Sequence, residues 1–264
     1  MSVDELSVSA RGLTYAYGNR TVLEALDISV RRGEFFGFLG QNGAGKSTAI
    51  RLLCGFLQPQ QGTIEVAGVD VVKDPSELRR HVGVLSEDIA LYDRLTGLEF
   101  LEFAGQMHGL SRSSANTRAV DLLERLDLAD SCTRPIGGYS LGMRKKTAFA
   151  AALIHSPQVL FLDEPFNGVD TLSTRTLCAI LKWLSAEKGV TIFFTSHVLE
   201  MAERLCDRIA ILHEGRIARE GPVAELRQDA DAQGATLEDI FLTLTGAKLD
   251  ADAALAWYRS SHSS

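Results

Sequence analysis

Polar residues follow short apolar runs at several places in this chain, and their types suit phosphate chemistry. The most informative stretch is Gly40-Gln41-Asn42-Gly43-Ala44-Gly45-Lys46-Ser47-Thr48, preceded by Phe35-Phe36-Gly37-Phe38-Leu39 and reading G-x-x-x-x-G-K-S. Glycines at this spacing let the backbone turn its N–H groups inward around a polyphosphate, where a Cβ would obstruct the path. A helix after the loop points its positive end at the same anion. Lys46 would reach the β- and γ-phosphates as a point charge, and the Ser47 hydroxyl would ligate a Mg²⁺ ion bridging them. Downstream, Val159-Leu160-Phe161-Leu162 delivers Asp163-Glu164, and Val190-Thr191-Ile192-Phe193-Phe194-Thr195 delivers Ser196-His197. Open parallel sheets gather their ligands outside the carboxyl ends of such strands. Asp163 is therefore a candidate metal ligand, direct or through water. Glu164 points differently because strand neighbours alternate, so it can poise a water against the γ-phosphate. Of the six histidines, His197 alone has this placement, and it is assigned to the γ-phosphate. Glu87, just past Val82-Gly83-Val84-Leu85 and Ser86, is a further candidate oxygen ligand for the metal.

The elements that must hold these groups can be read in outline. Residues 6 to 30 alternate apolar and polar side chains, with a turn at Tyr17-Gly18-Asn19, which predicts antiparallel strands ahead of a parallel core. Tyr17 is upstream of the phosphate loop and can stack on an adenine ring. The loop helix is expected to open at Ala49, and residues 63–70 read as another hairpin. From about residue 96 to 135 the pattern turns helical. Thr96 and Glu99 form a capping box. Leu98, Leu101 and Phe103 to Met107 supply an apolar stripe, and Ala119-Val120, Leu122-Leu123, Leu126 and Leu128 supply a second. In Ile136-Gly137-Gly138-Tyr139-Ser140-Leu141-Gly142-Met143, Ser140 can cap the next helix and expose a second anion site. A loop at Asn167-Gly168-Val169-Asp170 leads into a helix with Leu172, Leu177 and Leu181, ended by Gly189. After Gly221-Pro222 the chain reads as a helical tail.

Composition narrows the function class. The chain has 264 residues, 45% hydrophobic and 23% charged, an ordinary globular mixture. A net charge of −7 argues against a nucleic-acid partner. No run approaches the roughly eighteen apolar residues that a membrane span requires. The acidic start Met1-Ser2-Val3-Asp4-Glu5-Leu6 lacks the pattern of a signal peptide. Cys54, Cys132, Cys178 and Cys206 lie far apart and read as reduced thiols.

Taken together, these residues resemble the ATP-binding subunit of an ABC transporter over nearly the whole chain. Gly40–Thr48 match the Walker A motif and Val159–Glu164 the Walker B motif. Ser140-Leu141-Gly142-Met143 resemble the family signature, Asn167–Asp170 the D-loop, His197 the switch histidine and Tyr17 the adenine-stacking aromatic. The resemblance implies an α/β fold: a P-loop NTPase, RecA-like parallel-sheet core with an N-terminal antiparallel β subdomain and an inserted α-helical subdomain. It implies an ATPase domain over 1–225, the helical insertion at about 88–156, and a C-terminal helical tail over 226–264. It also implies a nucleotide cradle of Asn42, Gly43, Ala44, Gly45, Lys46, Ser47 and Thr48, with Ser140, Gly142 and Asp170 as further nucleotide-binding residues. Two departures stand out. Leu141 replaces the first glycine of the usual Leu-Ser-Gly-Gly-Gln signature, so its side chain must turn away from nucleotide. Glu87 replaces the Q-loop glutamine and adds a negative charge beside Asp163, Glu164 and the triphosphate. These variants, with Leu91–Thr96 and Thr236–Leu242, are similar to the branch serving ABC-2-type exporters.

The mechanism this resemblance implies is a dimer, most simply of two copies, with ATP and Mg²⁺ sandwiched between subunits. Ser140 and Gly142 of one chain would close over the γ-phosphate held by the other, and hydrolysis at Glu164 would release it. Separate integral membrane subunits would receive the motion, which places this chain peripherally on the cytoplasmic face of the plasma (inner) membrane. The alternative class is a soluble ABC ATPase acting in assembly or regulation without a transport partner.

Overall fold

The computed structural model describes residues 6–232 and 234–245. Strands β1 (Leu6–Tyr17) and β2 (Arg20–Arg31) form the expected hairpin, followed by β3 (Phe35–Gly40) and helix α1 (Lys46–Leu53). Next come β4 (Gln61–Val66), β5 (Val69–Asp70), α2 (Pro75–His81) and β6 (Val82–Leu85). Three helices precede the next strand: α3 (Gly97–Met107), α4 (Arg112–Arg125) and α5 (Leu141–Leu153). The chain continues through β7 (Val159–Asp163), α6 (Thr171–Lys188), β8 (Thr191–Ser196), α7 (Leu199–Leu205), β9 (Arg208–His213) and β10 (Arg216–Pro222). Helices α8 (Val223–Ala232) and α9 (Leu237–Leu244) follow.

The strands divide into a four-stranded antiparallel sheet, β2-β1-β4-β5, and a six-stranded sheet ordered β10-β9-β3-β8-β7-β6. In the larger sheet every pairing is parallel except that of the edge strand β10 with β9. Both faces are covered, which is why β3, β7 and β8 are buried at every position rather than at alternate ones. On one face Phe36, Phe38, Phe161 and Phe193 join a core with Leu13, Leu23 and Ile50. The Phe193 ring lies 5.5, 5.4 and 5.5 Å from Phe36, Phe38 and Phe161. On the other face Phe35, Leu39, Leu162 and Phe194 pack with Leu101, Phe149 and Leu177. Each such side chain withdrawn from water contributes roughly 1.5–3 kcal/mol. The sheet, and with it the edge carrying the polar residues, is therefore fixed from both sides.

Helix α1 opens at Lys46 rather than at Ala49. Gly45, at φ 113°, takes the left-handed conformation that reverses the chain directly into the helix, so Lys46, Ser47 and Thr48 form its first turn. In α3 the buried positions are Gly97, Phe100, Leu101 and Gly105. Phe103 and Met107 of the expected stripe instead face solvent, because helical periodicity turns them off that side. The same geometry exposes Val120, where α4 buries Ala115, Ala119 and Leu123. It also exposes Leu172, because Ser173 is the residue one turn before Leu177. The capping box at Thr96 and Glu99 is present, with bonds of 2.9 and 3.1 Å, and Gly189 ends α6 at φ 65°. Chain beyond 245, including His262 and the last part of the expected tail, lies outside the described residues. So does the start of the chain through residue 5.

Candidate active site

Four strand ends meet at the carboxyl edge of the parallel sheet. Register fixes their heights: Leu39 lies beside Ser196, Asp163 beside Thr195, and Leu85 beside Leu162. The phosphate loop, Glu164, His197 and Glu87 thus leave the sheet at one edge, although the chain visits them far apart in sequence.

The loop is shaped by Gly43 at φ 82° and Gly45 at φ 113°, a region costly for other residues. A Cβ on Gly45 would also stand 2.8 Å from Leu23 Cδ2 and 3.0 Å from the Val22 carbonyl oxygen, so β2 braces the loop from outside. Lys46 is 5% exposed. Its ammonium donates to the carbonyls of Gly40 at 2.8 Å and Gln41 at 3.2 Å and lies 3.5 Å from Glu164 Oε1. Glu164 Oε1 is also 3.0 Å from His197 Nδ1. A cation and an imidazole therefore hold the same carboxylate oxygen.

Beside this triad is a cavity of about 440 Å³. Its walls include Tyr17, Arg20, Asn42, Gly43, Gly45, Lys46, Ser47, Thr48, Glu87 and Glu164. Tyr17 is 46% exposed, with its ring edge-on to Tyr15 at 5.0 Å, which leaves an aromatic face at the cavity mouth. Asp163 is not on the cavity wall. It is buried beside β8, where Oδ1 accepts the Thr195 hydroxyl at 2.6 Å. Burial pushes the neighbouring Cys54 thiol well above its ordinary pKa, and the Asp163 carboxylate adds to that shift.

Ser140, Gly142 and Asp170 form a separate group. Ser140 caps α5, accepting from Met143 N at 3.3 Å, and Asp170 caps α6, accepting from Ser173 N at 2.9 Å. A Cβ on Gly142 would lie 3.6 Å from Asp170 Oδ2. None of the three lines the cavity that holds Lys46. Leu141 is exposed and leans on the loop at Gly168, where a Cβ would meet its Cδ2 at 2.5 Å. Its side chain is thus directed toward Gly168, and the Gly142 backbone stays uncovered. Ala44 lies in the loop but outside the cavity wall, where a Cβ on Gly40 would meet its side chain at 3.3 Å.

Sequence reasoning missed three contributors. Thr195, fully buried, bonds both acidic residues, because its Oγ1 also accepts from Glu164 N at 3.2 Å. Its only local signal is its position before Ser196-His197. Arg20 lines the cavity from the turn that carries Tyr17. Lys145 reaches the backbone of Glu164 from α5, across nineteen positions.

The site can bind a polyphosphate through the loop and Lys46, stack a base at Tyr17, and use Glu164 as a proton acceptor for water. Comparison with known proteins identifies the family. The family profile described as ABC transporter matches residues 23–167. The ABC transporter ATP-binding protein NatA of Bacillus subtilis (strain 168) is 39% identical over 202 residues, 76% of this chain and 82% of that protein. The daunorubicin resistance ATP-binding protein DrrA3 of Streptomyces coeruleorubidus is 38% identical over 263 residues, 95% of this chain and 82% of that protein. A solved ATP-binding subunit of an ABC transporter superposes with a TM-score of 0.83 at 33% identity, covering 90% of this chain and 99% of its own.

Proposed function

Because this chain belongs to the ABC transporter family, as an ATP-binding and ATP-hydrolysing subunit, we propose that it drives an ABC-2-type exporter by dimerising with a second copy around ATP. The observation that carries the reading is the Glu164 carboxylate. It stands on the cavity wall beside the phosphate loop, 3.5 Å from Lys46 Nζ and 3.0 Å from His197 Nδ1.

Each step follows from a residue's place. The N–H groups around Gly43 and Gly45, with the α1 N-terminus and Lys46, bind and neutralise the phosphates. Tyr17 offers its exposed ring to the adenine, and Arg20 adds a cation at the cavity wall. Glu164 orients the attacking water and takes its proton. His197, which is bonded to Glu164 and is not itself on the cavity wall, holds the carboxylate in that orientation and would meet the γ-phosphate with its other ring nitrogen. Ser47, Glu87 and Asp163 are an oxygen-only donor set that would hold Mg²⁺, Ser47 and Glu87 from the cavity wall and Asp163 from the buried end of β7. The ion, when bound, neutralises charge that develops on the phosphates.

Ser140, Gly142 and Asp170 stand apart from the chain's own cavity, which supports closure over the nucleotide of the other protomer. Among the described residues no helix is long and apolar enough to cross a membrane, so the reading places transport in separate membrane subunits, with this chain peripheral on the cytoplasmic face. The daunorubicin-resistance relative supports export, because resistance by transport requires outward movement. The helices α3 to α5, at about 88–156 within an ATPase domain of 1–225, would carry the motion to the membrane partner, with the segment from 226 as an appended tail.

The test is Glu164→Gln. The variant should bind ATP as the parent does, accumulate as a nucleotide-bound dimer in size-exclusion chromatography, and lose turnover. Parental turnover would remove Glu164 as the base. Co-purification of the parent with a membrane subunit tests the export reading, and a wholly soluble distribution in cell fractions would favour a regulatory ATPase instead.

A further inference from the structure

Lys145 is a buried lysine that phosphate binding does not use. It lies in the second turn of α5, is 4% exposed, and its Nζ donates to the backbone carbonyl of Glu164 at 3.1 Å. Glu164 is the first residue past β7 and has φ 46°, the left-handed region that non-glycine residues adopt only when neighbours hold them there. Its N–H is held by Thr195 and its carboxylate by His197 and Lys46, and its carbonyl accepts from Lys145 at 3.1 Å and from the Asn167 N–H at 3.3 Å. The Lys145 ammonium thus secures the peptide whose strain aims the Glu164 side chain.

A buried cation also needs a counter-charge. Burial draws the Lys145 pKa below the ordinary lysine value, and Glu87 and Glu164 act in the opposite direction. Glu87 shares the cavity wall with Glu164.

We propose that Lys145 is a positioning residue for hydrolysis: its ammonium holds the Glu164 carbonyl and so fixes the strained peptide that aims the Glu164 carboxylate. The same side chain ties α5, whose first turn carries Gly142, to the glutamate that acts on water in its own chain. This inference rests on the hydrolytic reading of Glu164, and its experiment separates the two.

The experiment is a series of Lys145 variants of the full chain, with steady-state ATP turnover and calorimetric ATP titration measured for each. Lys145→Gln keeps a donor and removes the charge, so it should lower kcat roughly tenfold while leaving ATP affinity within about twofold of the parent. Lys145→Arg, which keeps the cation, should retain most of the turnover. Parental kcat in Lys145→Gln overturns the proposal. So does a parallel fall in ATP affinity, which would mark a general packing role. If Lys145→Gln fails to fold, Lys145→Met decides: it keeps the length and removes the donor, so it must lose turnover at parental ATP affinity, and parental turnover refutes the proposal. Turnover lost in Glu164→Gln but unchanged in the Lys145 variants sinks this inference alone, whereas turnover unaffected by Glu164→Gln sinks the hydrolytic reading.

Discussion

Replacing Thr195 with valine tests how the two acidic residues are held. Valine keeps the shape and removes the hydroxyl, which donates to Asp163 Oδ1 at 2.6 Å and accepts from Glu164 N at 3.2 Å in a fully buried position. Losing the bond to a charged acceptor costs about 1.5–3 kcal/mol, and leaving a buried N–H without a partner costs about 1 kcal/mol more. The sum, about 2.5–4 kcal/mol, corresponds to a fall in Tm of roughly 5–16 °C for a domain of this size. Thr195→Ser keeps both bonds and loses one methyl, a loss of about 1 kcal/mol. Thermal denaturation followed by circular dichroism should therefore rank the proteins parent, serine variant, valine variant. ATP turnover should fall most in the valine variant, because Glu164 loses one of its backbone anchors. A valine variant melting within about 2 °C of the parent, or above the serine variant, would refute the reasoning, since packing rather than hydrogen bonding would then hold the strand ends.

Lys46→Ala removes the ammonium held in the loop and should abolish measurable ATP affinity; a calorimetric titration matching the parent would count against the phosphate-loop assignment. Gly83→Ala would place a Cβ 2.1 Å from the Ala152 carbonyl oxygen and 2.7 Å from Leu160 Cδ2, so β6 and α5 must separate. This variant should lose about 2–3 kcal/mol of stability as an overpacked core, and a urea midpoint equal to the parent's would contradict the close approach. His155, stacked on His108 at 3.7 Å, is held down to about 4 by burial, with His108 adding to the shift. Because the unfolded imidazole titrates near 6.5, the stability linked to His155 is complete above that pH and is lost as pH falls toward 4. After allowance for solvent screening the loss is about 1 kcal/mol at pH 5, so Tm should fall between pH 7.5 and 5.0 and fall less in His155→Phe. An unchanged pH dependence in His155→Phe would remove the histidine pair as its cause.

Local chemistry made much of this protein legible in its sequence. The glycine spacing of residues 40–48 dictates a backbone that turns its amides inward, and the apolar runs before Asp163 and His197 dictate buried strands that end in those residues. Capping is equally local: Thr96, Ser140 and Asp170 each bond an N–H three residues ahead, so each helix start is encoded within one turn. Helix faces were read less well. Phe103, Met107, Val120 and Leu172 are as apolar as their buried neighbours, and only the partner surface decides which side of a helix is covered. What the tertiary structure alone decided is register and reach across the chain. That Thr195 lies beside Asp163, that Lys145 meets the Glu164 carbonyl, and that Arg20 lines the cavity all depend on how strands align and helices seat. Those contacts join residues far apart in sequence, and their geometry comes from the packing of the whole sheet rather than from any pattern within one segment.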